Sequence, residues 1–116
     1  MLRLDHVQLA APPGCEDEAR RFYGGVLGLP EIEKPAPLRG RGGAWFALGD
    51  HELHIGIEDP FAPARKAHPA LRVPAGELDA LAERLTTVTW DDTLPGVRRF
   101  YTEDPWGNRL EFVEAA

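Results

Sequence analysis

One short pattern occurs twice in this chain. His6-Val7-Gln8-Leu9-Ala10-Ala11-Pro12 and His68-Pro69-Ala70-Leu71-Arg72-Val73-Pro74 both spell H-x-x-L-x-x-P, and each leads into a stretch with helical spacing. A second pair falls late in each half, Glu52-Leu53-His54-Ile55 against Arg109-Leu110-Glu111-Phe112. Repetition at this interval governs the fold, because it makes one module used twice. It also places side chains able to bind a metal at matching points of the two copies.

Period-2 alternation from Leu4 to Ala10 predicts a first strand, which Pro12-Pro13-Gly14 ends. From Asp17 to Leu27, the residues Ala19, Phe22, Tyr23, Val26 and Leu27 recur at helical spacing, and Glu16, Asp17 and Glu18 suit the positive end of the helix dipole. Gly28 and Pro30 stop that helix. A short edge strand is expected at 31–34. The segment Pro35 to Gly43, with two prolines, three glycines and two arginines, reads as a loop. Strands at 44–48 and 52–58 flank Gly49-Asp50-His51 as a hairpin turn, and Asp59 to Lys66 is the connector.

The second half repeats the order: a strand at 68–73, a helix at about 76–85, and strands at 86–90, 97–102 and 109–113. Asp104-Pro105-Trp106-Gly107-Asn108 forms the turn between the last two. The expected fold is α+β, a single domain over 1–116 built from βαβββ modules at 1–58 and 67–116. The sheet is expected to be a curved half-barrel with the helices on its convex side, and mostly antiparallel because only short turns join the late strands.

Residues two apart share a face of a strand. His6 therefore lies with Gln8, His54 with Glu52 and Gly56, His68 with Ala70, and Glu111 with Arg109 and Val113. The intervening Leu53, Ile55, Ile57, Leu110 and Phe112 are apolar and pack under the helices. If the modules pair about a pseudo-two-fold axis, His6 faces His68 and His54 faces Glu111 across a cavity. Imidazoles with one carboxylate suit Zn²⁺, Fe²⁺, Ni²⁺, Co²⁺ or Mn²⁺, with water in the open positions. An isolated strand histidine is more often an ordinary surface or core residue, and no local metal motif such as H-E-x-x-H is present. Placement at repeat-related positions is what singles out His6, His54 and His68. His51, in the turn after Asp50, is expected to be exposed.

Composition narrows the partners. A formal charge of −6 over 116 residues argues against nucleic-acid binding. Cys15 is the single cysteine, so no intrachain disulfide forms and a reducing cytoplasm is expected. Apolar runs are too short for a membrane span, and the opening residues lack the apolar stretch of a signal peptide.

Leu4-Asp5-His6-Val7, the helix ending Arg21-Phe22-Tyr23 to Leu27-Gly28-Leu29, and Phe100-Tyr101 through Asp104-Pro105-Trp106-Gly107-Asn108-Arg109-Leu110-Glu111 resemble the vicinal oxygen chelate superfamily. That superfamily includes glyoxalase I, fosfomycin-resistance thiol transferases, methylmalonyl-CoA epimerase, extradiol dioxygenases and bleomycin-resistance proteins. The resemblance implies that His6 and Glu111 bind a divalent metal, with His68 as third ligand. The fourth position falls at His54, with Glu52 as the near competitor; a histidine there departs from glyoxalase I.

The function so implied is a metal-dependent lyase, isomerase or transferase acting on a small oxygen-bearing substrate chelated to the metal. In a proton transfer Glu111 would act as catalytic base. The rival is a non-catalytic, drug-sequestering protein of the bleomycin-resistance type. Homodimers are common in the superfamily, and one is expected here. Trp45, Arg99 and Tyr101 are candidate substrate-binding residues. Arg39-Gly40-Arg41-Gly42-Gly43 is a basic loop able to close over an anionic ligand.

Overall fold

The computed structural model describes residues 1–116, whose contacts divide into two compact units, Met1–Pro63 and Ala64–Ala116. Each contains one copy of the repeat. Eight strands are hydrogen-bonded as two four-stranded mixed sheets in an α+β fold.

In the first unit, β1 (His6–Ala11) pairs in parallel with β4 (His51–Ile57), which pairs antiparallel with β3 (Ala44–Leu48), and β2 (Glu31–Ile32) completes the order β1-β4-β3-β2. Two of the three pairings are thus antiparallel, as the short turns require. Leu48 pairs with His51 around Gly49-Asp50, and Gly49 takes φ +56°, the left-handed region that a two-residue hairpin with glycine first uses. His51 therefore opens β4 and is half-buried, not an exposed turn residue.

The single helix expected from Asp17 to Leu27 is instead an α-helical turn, α1 (Glu16–Ala19), running into a π-helical segment at Arg20–Val26. Leu27 N–H reaches back five residues to the Phe22 carbonyl at 2.9 Å, and Gly24-Gly25, poor helix formers, sit in the widened stretch. The segment drives Tyr23 into the core, where its ring lies 5.9 Å from that of Phe46. Ala11, Cys15, Ala19, Ala44, Leu53 and Ile55 fill the rest of this face. Burying such side chains contributes about 1.5–3 kcal/mol for each large one.

The expected loop at 35–43 holds a 3₁₀ segment, Ala36–Arg41, opened by proline and secured by Leu38 N–H on the Pro35 carbonyl at 2.9 Å. It leads to Gly43, where φ is +81° and a Cβ would stand 2.0 Å from the Ile55 carbonyl oxygen. Only glycine fits there. Its N–H donates to Glu16 Oε2 at 2.7 Å, a bond that holds the Glu16 carboxyl below its usual range despite partial burial.

The second unit repeats the order as β5-β8-β7-β6, with β5 (Ala70–Val73) parallel to β8 (Arg109–Glu114), and β6 (Thr89–Asp91) and β7 (Arg99–Glu103) antiparallel. Leu78 and Leu81 of α2 (Leu78–Glu83) are buried with Val73, Phe100, Leu110 and Phe112. The strand expected from residue 68 begins at Ala70. Pro69 has no N–H for a ladder bond, but its carbonyl accepts the Glu111 N–H at 3.1 Å. His68 thus stands just ahead of β5, beside Glu111.

The turn before β8 is a closed polar knot. Asp104, 5% exposed, accepts the backbone N–H groups of Trp106 (3.0 Å) and Asn108 (2.8 Å) on Oδ1 and the Asn108 amide on Oδ2 (2.8 Å). The D-P-x-G-N motif is therefore the support on which Arg109 and Glu111 stand.

Candidate functional site

Register shows how far the repeat reaches into the site. In the first sheet His54 lies between Gln8 of β1 and Trp45 of β3; in the second, Glu111 lies between Ala70 of β5 and Tyr101 of β7. Gln8 and Ala70 occupy the same place in H-x-x-L-x-x-P. His54 and Glu111 are therefore equivalent positions, as are Trp45 and Tyr101. All stand on the sheet face opposite the helix-packing row.

On the first sheet three rings stack. The His6 and His54 centroids are 4.3 Å apart at 20°, and those of His54 and Trp45 are 3.6 Å apart at 3°. His54, covered on both faces, is 4% exposed. Its Nε2 lies 2.8 Å from Glu52 Oε1, so that nitrogen carries the hydrogen and the carboxylate accepts it. Glu52 stands directly across from His6 in the β1–β4 register and keeps a side chain 42% exposed. Asp5 Oδ1 meets His6 Nδ1 at 2.8 Å, and this hydrogen bond lowers the Asp5 carboxyl from its ordinary value.

On the second sheet Glu111 is the hub. His68 Nε2 is 3.0 Å from its Oε1, Arg99 Nη1 is 3.2 Å from its Oε2, and the His68 Nδ1 is 2.9 Å from the Lys66 carbonyl. Burial alone would raise the Glu111 carboxyl. The hydrogen bonds from His68 and Arg99, with the Arg99 charge, outweigh it and hold the group below the ordinary carboxylate value. Arg99 also reaches Asp91 (3.3 Å) and the Thr93 hydroxyl (3.2 Å), leaving only its Nε buried without a partner. Tyr101 packs edge-on to His68 at 5.4 Å, and the Arg109 guanidinium lies 4.1 Å over its ring.

The candidate ligands thus occur as groups within each unit: His6 with His54 and Glu52, and His68 with Glu111. No cluster of three or more His, Cys, Asp or Glu side chains is assembled that could hold a metal ion. Of the candidate substrate residues, Arg99 and Tyr101 share the Glu111 face, but most Arg99 donors are engaged by protein acceptors. Asp5 and Arg109 went unnoticed as partners of His6 and Tyr101. Adjacency in sequence and strand parity, respectively, carried the signal for them.

Two sheets carrying the candidate residues at equivalent registers define the paired-module class. Among solved structures, the chain matches a protein assigned to the glyoxalase family from Bacillus anthracis at 48% identity and a TM-score of 0.92, covering 100% of this chain and 97% of that one. The chain belongs to the glyoxalase family of the vicinal oxygen chelate superfamily. Lactoylglutathione lyase from Agrobacterium tumefaciens matches at 22% identity and TM-score 0.75, covering 99% and 95% of the two chains. The E126Q mutant of the fosfomycin resistance protein FosX from Listeria monocytogenes, complexed with Mn(II) and 1S,2S-dihydroxypropylphosphonic acid, matches at 16% identity and TM-score 0.81, covering 100% and 94%. These two share the fold with this chain. No family sequence model and no curated protein sequence matches it. No helix is long and apolar enough to cross a membrane.

Proposed function

We propose that this protein is a metal-dependent enzyme of lyase, isomerase or transferase type acting on a small oxygen-bearing substrate. His68 and Glu111 bind a divalent metal, and His6 is the further donor that the repeat supplies. The observation that carries this reading is the 3.0 Å separation of His68 Nε2 and Glu111 Oε1. Two ligands at right angles on one ion, each about 2.1 Å from it, stand about 3 Å apart. The lowered pKa of Glu111 supports the same role, because a carboxylate must be ionised to ligate. It also makes Glu111 a weak base, so the ligand role is preferred to the proton-abstracting one.

For the fourth donor the local geometry favours Glu52 over His54. The His54 Nε2 is engaged by Glu52, both its ring faces are covered, and it orients the carboxylate that stands across from His6. Once bound, a divalent metal with open positions supplies Lewis-acid polarisation of substrate oxygens. The chain's own contribution is to hold Glu111 ionised through His68 and Arg99 and to wall its face with Tyr101.

Calorimetric titration of metal-stripped protein with Mn²⁺, Zn²⁺, Ni²⁺, Co²⁺ and Fe²⁺ tests the reading. Micromolar or tighter binding of one of them is expected, weakened by about tenfold or more in His68→Ala, Glu111→Gln and His6→Ala. If none of the metals binds, or the three variants bind as the wild type does, the enzyme reading fails and the drug-sequestering alternative takes its place.

A further inference from the structure

The first unit contains a cavity of about 250 Å³ that the metal reading does not use. Its wall includes Gln8, Lys34, Leu38, Arg41, Trp45 and Gly56, and none of its lining residues is acidic. In a chain with 19 Asp and Glu against 13 Lys and Arg, a pocket with two cations and no carboxylate has a local charge opposite to that of the whole. Arg41 and Gln8 are exposed side chains, whereas Lys34 is half-buried and pinned. Lys34 is held at the wall by its ammonium group, which donates to the carbonyl of Gly42, another lining residue. Arg39, two residues before Arg41, is consumed by Glu33 at 2.6 Å and the Lys34 carbonyl at 3.1 Å. Arg41 forms no such pair. Glu16, whose carboxylate lies against Gly42 of the wall, is committed to the Gly43 N–H.

Gln8 completes the set. Its side chain lies flat across β4 because residue 56 is glycine: a Cβ there would sit 2.7 Å from Gln8 Nε2. The amide has no hydrogen-bond partner in the protein and borders the cavity. Trp45 forms a wall on one side while stacking on His54, so the cavity adjoins the ring ladder on the same sheet face.

We propose that this cavity is a binding site for the oxyanion end, carboxylate or phosphonate, of a small molecule. Arg41 and Lys34 supply the charged donors, Gln8 the neutral one, and Trp45 with Leu38 the apolar wall. Its volume suits a ligand smaller than drug size. A guanidinium that pairs with planar carboxylate or with phosphonate oxygens bidentately gives orientation as well as charge. The proposal stands on the cavity alone and is independent of the metal assignment.

The test uses ¹⁵N-labelled full-length protein kept metal-free with EDTA, titrated separately with glycolate and with methylphosphonate. Saturable shifts of the Gln8 side-chain amide and the Trp45 indole N–H are expected with at least one probe, and the stronger arm identifies the oxyanion. Arg41→Gln should weaken that binding about tenfold or more, through loss of the charged pair. Gly56→Ala, which pushes the Gln8 amide aside, should weaken it too. Arg39→Gln should not. The proposal is overturned if neither probe gives saturable shifts at these residues, if Arg41→Gln binds as the wild type does, or if Arg39→Gln weakens binding as much. Because metal is absent throughout, failure here leaves the metal titration untouched, and the reverse holds.

Discussion

The Trp45 indole and the His54 imidazole lie face to face, 3.6 Å between centroids and 3° from parallel. Trp45 thereby shields a buried histidine whose hydrogen bond fixes Glu52. Trp45→Ala should destabilise the protein by about 2 kcal/mol, less than for a fully buried tryptophan because Trp45 is half-exposed. A double-mutant cycle with His54→Ala, read by urea unfolding, should return a coupling of about 1 kcal/mol. Additive effects of the two changes would mean the stack contributes nothing.

Gly43 meets a harder limit. Its positive φ and the 2.0 Å approach to the Ile55 carbonyl oxygen leave no room for a side chain. Gly43→Ala should cost about 3 kcal/mol, since strain and overpacking add at one position. Gly49→Ala, with positive φ but nothing within 4 Å of the added Cβ, should cost clearly less. Thermal unfolding of the two variants side by side checks the ordering.

Asp104 carries the turn that presents β8. Asp104→Ala takes one acceptor from the buried Asn108 backbone N–H and one from the Asn108 amide. A loss of about 2–3 kcal/mol follows from leaving such groups without that acceptor. Hydrogen exchange at Asn108 should accelerate at the same time. Unchanged protection there would show that the knot is not what holds the turn.

Much of this architecture was legible in the residues. Strand parity alone put His6, Gln8, Glu52 and His54 on one face and Leu53, Ile55 and Ile57 on the other, and the observed registers keep them there. The repeat anticipated the equivalence of His54 and Glu111. Local backbone chemistry was harder to read. Period 3.6 described the spacing of Phe22, Tyr23 and Val26, yet tandem glycines relax the turn into a π segment without disturbing which side chain enters the core. Pro69 delays β5, and the carbonyl it still offers to Glu111 puts His68 beside that carboxylate from outside the strand. Side-chain competition was equally hidden. Nothing in the spacing of Glu52 and His54 shows that one would occupy the nitrogen of the other.

Arg99 and Glu111 give the pH dependence. In metal-free protein the Glu111 carboxyl is pushed up by burial but pulled down further by the bonds from His68 and Arg99, so its folded pKa lies below its ordinary value of 4.5. A depressed carboxylate stabilises the fold fully above the ordinary value, and that contribution is lost as pH falls through the folded pKa. Urea unfolding should therefore show stability falling on acidification from about pH 5 downward, and Glu111→Gln should flatten that part of the profile. Arg99→Gln removes the charge that opposes burial, which leaves a nearly buried carboxylate against His68 alone. It should cost about 3 kcal/mol at neutral pH, as expected when one partner of a buried pair is deleted. The acid-side loss should also begin at higher pH, because His68 alone then opposes burial. A ¹³C titration of the Glu111 carboxyl in the two proteins reads this directly: equal midpoints would mean that Arg99 does not set the ionisation of Glu111.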